Sequence, residues 1–172
     1  MINDHINKYN VIKNAIILAL FIIFFIFPMA AQAETGVILR PHAGYGYISS
    51  SDSEYEGAVY HAGGRLLLGA GENKKYGLEA TYFELDDKTD FFSCGIVLEQ
   101  KLWGWFNMSI GTVGYFNYGP DSDNTIGLTT NLGWEPDSFK KLTPFITYRN
   151  DMILHDNTAI VNSLSVGLAW HF

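Results

Sequence analysis

A single cysteine, Cys94, stands among 172 residues, so no intrachain disulfide can staple the fold. Basic residues are scarce as well: 11 Lys and Arg face 18 Asp and Glu, a net charge of −7. No basic patch is available to neutralise phosphates, which excludes nucleic acid as a partner. Long apolar runs are absent but for one, residues 15 to 30. Beyond Glu34 no stretch is long enough for a transmembrane helix, and none shows helical periodicity. No repeat, low-complexity linker or second domain interrupts the chain.

The one apolar run has the setting of a secretory leader. Lys8 and Lys13 precede it, Pro28 marks its end, and Ala31-Gln32-Ala33 supplies small residues at Ala31 and Ala33. Cleavage is expected after Ala33, leaving residues 1–33 as signal peptide and 34–172 as one domain. The remaining chain keeps 9 basic and 17 acidic residues. An exported chain without disulfides needs another source of stability, and closure of a barrel in a bilayer is one.

From Gly36 onward, polar and apolar residues alternate in eight stretches bounded by turn residues. They run from 37 to 48, 58 to 70, 76 to 85, 91 to 103, 107 to 118, 125 to 134, 142 to 154 and 158 to 172. Short joins between neighbours predict an all-β, antiparallel, up-and-down barrel of eight strands. The connections at 49–57, 86–90, 119–124 and 155–157 all carry net negative charge. Either they are solvated polar loops or they meet anionic lipopolysaccharide through divalent cations.

Alternation alone does not say which face is inward. One face carries Leu39, Tyr45, Tyr60, Leu78, Cys94, Ile96, Ile110, Leu128, Ile146, Tyr148, Leu164 and Leu168. The other carries Arg40, His42, His61, Arg65, Glu79, Glu99, Lys101, Asn117, Arg149 and Asp151, interspersed with glycines such as Gly46, Gly63 and Gly167. Glycine weakens an exposed strand, yet inside a narrow barrel it makes room for long neighbours. The polar face is therefore expected inside and the apolar face against lipid. Sorting of the aromatics agrees: Trp103, Trp105, Trp134 and Trp170 fall at one end of their strands, and Tyr and Phe gather toward the other, as in two interfacial girdles.

The last stretch alternates through Leu168, Trp170 and Phe172. With this aromatic-terminated strand, residues 36–172 resemble the small outer-membrane barrel families, such as the OmpA membrane domain and the OmpX- and OmpW-like porin-type proteins. The resemblance implies a transmembrane β-barrel in the bacterial outer membrane, reached by the Sec pathway through the periplasm. It implies that Leu168, Trp170 and Phe172 form the signal read by the barrel-assembly machinery. Periplasmic chaperones, outer-membrane lipids and lipopolysaccharide are the implied partners, and a monomer is expected.

Eight strands leave a lumen that side chains fill. The inward charges Arg40, Arg65, Glu79, Glu99, Lys101, Arg149 and Asp151 are expected to pair, because an unpaired buried charge is very costly. Four are basic and three acidic. Lys101 is two residues from Glu99, and Arg65 is expected across from Glu79. The expectation is a polar plug, with a gated narrow channel or small-molecule transporter as the alternative. His42 and His61 are two histidines without a third ligand, so no metal or other cofactor is assigned. An apolar lumen pocket is missing from the alternation.

Some barrels of this membrane are enzymes acting on lipid A. The deacylase family carries a His-x-Ser segment and a later Glu on its last strands. Here the matching stretch runs from Tyr148 to Thr158; His155 has no serine two positions on, and no Glu follows. Nucleophile and acid are both missing from that pattern. A palmitoyltransferase would need an amphipathic N-terminal helix that the early first strand leaves no room for. No catalytic residue is assigned, and a structural or interaction role is expected, with a deacylase-like enzyme modifying lipid A as a further alternative.

Overall fold

The computed structural model describes residues 36–50, 56–69, 73–86, 89–119, 123–136, 141–155 and 158–172. The expected signal peptide, with Ala31 and Ala33, lies outside them. Eight strands follow in order: β1 (Val37–Ser50), β2 (Gly57–Gly69), β3 (Lys74–Leu85), β4 (Asp90–Lys101), β5 (Phe106–Tyr118), β6 (Asp123–Trp134), β7 (Leu142–Leu154) and β8 (Ala159–His171). Each pairs antiparallel with its neighbours, and β8 closes on β1. We call the end holding the start of β1 the base and the opposite end the rim.

Register fixes the width of the barrel. From Tyr47 on β1, successive cross-strand partners are Asn162, Asn150, Thr130 and Ile110. The row continues through Leu98, Tyr76 and Leu68 and meets β1 again at Val37. A full circuit thus slips from position 47 to position 37. Such a stagger over eight strands corresponds to a tilt of about 40° and a lumen that only side chains can occupy.

Strand ends differ slightly from the pattern of alternation. β4 stops at Lys101 rather than Trp103 because residues 102–105 form a turn. There Leu102 N–H bonds to the Phe106 carbonyl at 2.9 Å, and Gly104 takes a left-handed φ of 54°. Near the rim, β5 bulges between Tyr115 and Tyr118. Asn117, expected inward, has φ 62° and is exposed, its amide donating to the Asp90 carbonyl at 2.9 Å. The extra residue of the bulge turns Tyr118 into the lumen instead.

The inward face departs from expectation in one larger respect. Apolar layers lie at both ends of the lumen, where the alternation predicts a polar inward face. At the rim end, Ile48, Val59, Phe83, Phe91, Tyr115, Tyr118 and Ile153 belong to one buried cluster. At the base, Ile38, Leu67, Val97, Phe145 and Ala169 form a second. Along β2 the reason is plain: Val59, His61, Gly63, Arg65 and Leu67 share one parity, so the same face runs from apolar through polar to apolar.

Candidate functional site: the filled lumen

Between the two apolar layers lies a belt of buried charge. Arg149 is at its centre. Its Nε and Nη2 donate to Asp151 at 2.6 and 2.8 Å, and Nη1 donates to Thr81 Oγ1 at 3.1 Å. The same guanidinium forms an ion pair with Glu79. Arg65 Nε donates to the other Glu79 oxygen at 2.5 Å, and its Nη1 to Ser109 at 3.2 Å. Tyr115 OH donates to Asp151 at 2.9 Å. Thus Arg65, Glu79, Arg149 and Asp151, in that order, make one continuous network. Each charge in it has an opposite partner, which is what burial demands.

A second group sits nearer the base. Arg40 forms an ion pair with Glu99 through Nη1 and with Glu135 through Nη2. Lys75 Nζ lies 3.3 Å from the remaining Glu99 oxygen, and His171 Nε2 lies 3.3 Å from Glu135. Glu99 therefore pairs with Arg40 and Lys75, where its position in the sequence had set Lys101 beside it. Lys101 is half-buried at the last position of β4, while Lys75 on β3 is the cross-strand partner of Glu99. Cross-strand neighbours outcompete the i, i+2 neighbour because their side chains leave adjacent backbones on the same face.

Glu135 and Lys75 are the members that sequence reasoning missed. Glu135 belongs to the join after β6, yet its carboxylate folds under the lumen; its N–H bonds to the Trp105 carbonyl at 2.8 Å. The available signal was the surplus of one base among the inward charges: the missing acid had to come from outside the strands.

Aromatic rings bound the charged belt. Arg149 lies 5.3 Å over Phe83 on the rim side, and Arg40 lies 5.7 Å over Phe145 on the base side. Phe83 stacks on Phe91 at 4.6 Å, and Tyr118 meets Phe91 edge-on at 5.3 Å. A cavity of about 10 Å³ remains, lined by groups that include Arg40, His42, Arg65, Asn131 and Arg149. Its size suits about one water molecule.

His42 and His61 face each other with ring centroids 5.8 Å apart, and His61 Nε2 is 3.4 Å from Ser165 Oγ. Among the described residues no set of three or more His, Cys, Asp or Glu is placed to hold a metal. At the rim, His155 lies 3.5 Å from Asp123 and packs edge-on against Tyr118.

Outside, the wall is apolar. Ile96, Ile126, Leu164 and Val166 are more than half exposed, as are Tyr45 and Tyr60 nearer the rim. Trp103 and Trp170 are exposed at the base, and Trp105 meets Trp134 edge-on at 6.0 Å. Trp170 stacks on Phe172, whose N–H bonds to the Val37 carbonyl at 2.9 Å and ties the last residue to β1. Leu168 is exposed on the same face, while Leu68, on the outward register of β2, is buried. An apolar wall around a charged interior inverts the order of a water-soluble barrel and is the order of a membrane-spanning one.

No family model matches the sequence, and no curated protein matches it. Solved structures do match in fold. Neisserial surface protein A superposes with a TM-score of 0.63 at 14% identity, over 79% of this chain and 97% of that one. The N-terminal β-barrel domain of Pseudomonas aeruginosa OprF gives 0.49 at 13% identity, over 78% and 99%. OprG of the same organism gives 0.44 at 10%, over 82% and 98%.

Proposed function

Proceeding from an outer-membrane β-barrel fold with a lipid-facing wall, we propose that this chain is an integral protein of the bacterial outer membrane with a plugged lumen. Its role is structural or one of interaction, without catalysis. The observation that carries this reading is the closed ion-pair belt: Glu79 and Asp151 with Arg65 and Arg149, then Glu99 and Glu135 with Arg40 and Lys75. Apolar layers cap it above and below. An ion passing through would have to break buried pairs and cross two dry layers.

The partners that go with this role are outer-membrane lipid and lipopolysaccharide, and the chaperones and assembly machinery that deliver a barrel. Among the described residues, the groups packed about His155 are the Asp123 carboxylate and the Tyr118 ring, which supports a role without lipid A chemistry.

Two measurements test the proposal. In planar bilayers the protein should give no steady single-channel conductance; steady channels abolished by changing Arg65 or Glu99 would overturn the plug. Lipid A from cells with and without the protein should have the same mass spectrum. A lost or gained acyl chain would make it an enzyme.

A further inference from the structure

The lipid-facing wall carries a polar seam. Asn150 on β7 and Asn162 on β8 are direct cross-strand partners, and Thr130 on β6 is the next partner in the same row. Burial alternates along each strand, with Arg149 and Asp151 inward, so Asn150 points outward; Asn162, between buried Val161 and Ser163, does the same. Apolar residues continue the outward face on both sides. Met152 and Leu154 follow Asn150 toward the rim, and Tyr148 and then Ile146 lie below it. Ile160 and Leu164 flank Asn162. Asn150 is four positions from the rim end of β7, or about 10 Å below it at ordinary strand rise and tilt. That depth lies within the apolar band of such a barrel.

The hydrogen bonds of the seam are half complete. Asn162 Oδ1 accepts from Tyr148 OH at 2.6 Å and from Asn150 Nδ2 at 2.8 Å. Two donors fill that oxygen. Asn162 Nδ2 and Asn150 Oδ1, on two half-buried residues of the outward face, make no hydrogen bond among the described residues. Hydrocarbon offers no partner for either, so polar side chains at this depth are met by other protein.

We infer that the seam is a self-association surface, where two copies of the barrel pack side by side with their Asn150–Asn162 rows facing. The chemistry selects a second copy. Open donor and open acceptor lie next to each other, so the seam is its own complement under a two-fold axis along the membrane normal. Both copies insert in the same sense, so each row meets its twin at nearly equal depth. Asn162 Nδ2 of one copy then donates to Asn150 Oδ1 of the other, and reciprocally. A lipid phosphate would use only the donor and leave the carbonyl oxygen unmet. The inference sets a dimer against the monomer expected from sequence.

Sedimentation equilibrium of the protein in density-matched detergent micelles tests the inference, with heat-shifted gel mobility as the check on folding. Wild type should form dimers, and the double variant Asn150→Leu, Asn162→Leu should associate at least tenfold more weakly. Leu98→Ala, on the far wall, should associate like wild type. If the double variant does not fold, Asn162→Val alone should show the loss. A wild type monomeric at all concentrations, or association unchanged in the variants, overturns the inference. So does a monomer that retains a lipid in native mass spectrometry and loses it in the double variant, which would make the seam a headgroup site.

Discussion

Arg149 on β7 and Glu79 on β3 form an ion pair across the lumen, from strands on opposite sides of the closed order of eight. The pair is a strut as well as a neutralised charge, because Asp151 and Arg65 hold its two ends. Removing Arg149 leaves one carboxylate in excess in a dry interior, with Asp151 keeping only the Tyr115 hydroxyl. Arg149→Leu should therefore lose about 3–5 kcal/mol in urea unfolding measured in lipid vesicles. Joining Asp151→Asn to it should restore part of the loss, since the one carboxylate left without a base becomes neutral while Arg65 keeps Glu79. Losses that simply add would mean that the two side chains act independently.

Glu135 should behave differently. Arg40 keeps Glu99 when Glu135 is removed, and the Glu135 carboxylate lies at the base rather than in the centre. Glu135→Gln should cost about 1–3 kcal/mol, the range for a charged hydrogen bond, and not the larger figure of a stranded charge. Its local effect should be clear in hydrogen exchange, with faster exchange of the Glu135 amide now bonded to the Trp105 carbonyl. Unchanged exchange there would detach the carboxylate from the closure of the base.

Eight strands, their order and the outward apolar wall were legible because a period of two is written in every strand. Arg40, Arg65, Glu79, Glu99, Arg149 and Asp151 were legible as inward for the same reason. Their partners were not. Which base meets Glu99 depends on register, and register sets Lys75 rather than Lys101 opposite it. The apolar ends of the lumen were hidden because Val59 and Leu67 share the parity of Arg65, and the eye follows the charges. Asn117 was misplaced by a bulge, which shifts parity by one residue without any break in composition. Glu135 lies outside the alternation altogether, and only charge balance pointed toward it.

Glycines in the lumen and on the wall should respond in opposite ways to an added methyl. A Cβ on Gly167 would lie 2.3 Å from the Pro41 carbonyl oxygen and 2.5 Å from the Phe145 ring. Neither backbone nor the ring beneath Arg40 can give way cheaply, so Gly167→Ala should cost about 1–3 kcal/mol in the same unfolding measurement. At Gly64, on the outward face, the nearest atom would be the Arg40 carbonyl oxygen at 3.8 Å. Gly64→Ala should be neutral or stabilising, because the methyl meets only ordinary contacts and reduces the freedom of the unfolded chain. Equal effects at the two sites would contradict the assignment of faces.

Cys94 reports the environment of the wall without any substitution. It lies on β4 between Phe92 and Ile96 of the outward face, with Ala80 and Gly114 as its cross-strand partners. Its side chain is half-buried on that face, and the girdle of which Phe92 is part lies between it and water at the rim. A membrane-impermeant maleimide should leave Cys94 unmodified in sealed or leaky vesicles alike, and should modify it once the protein is unfolded in urea. A nitroxide attached under those unfolding conditions, followed by refolding into lipid, should relax faster with oxygen, which concentrates in hydrocarbon, than with a nickel chelate, which stays in water. The opposite order, in vesicles where the barrel is shown to be folded by its heat-shifted mobility, would mean that this wall faces water. The charged lumen would then have to be explained without a bilayer, since only a lipid surround makes an apolar exterior and a polar core the stable arrangement.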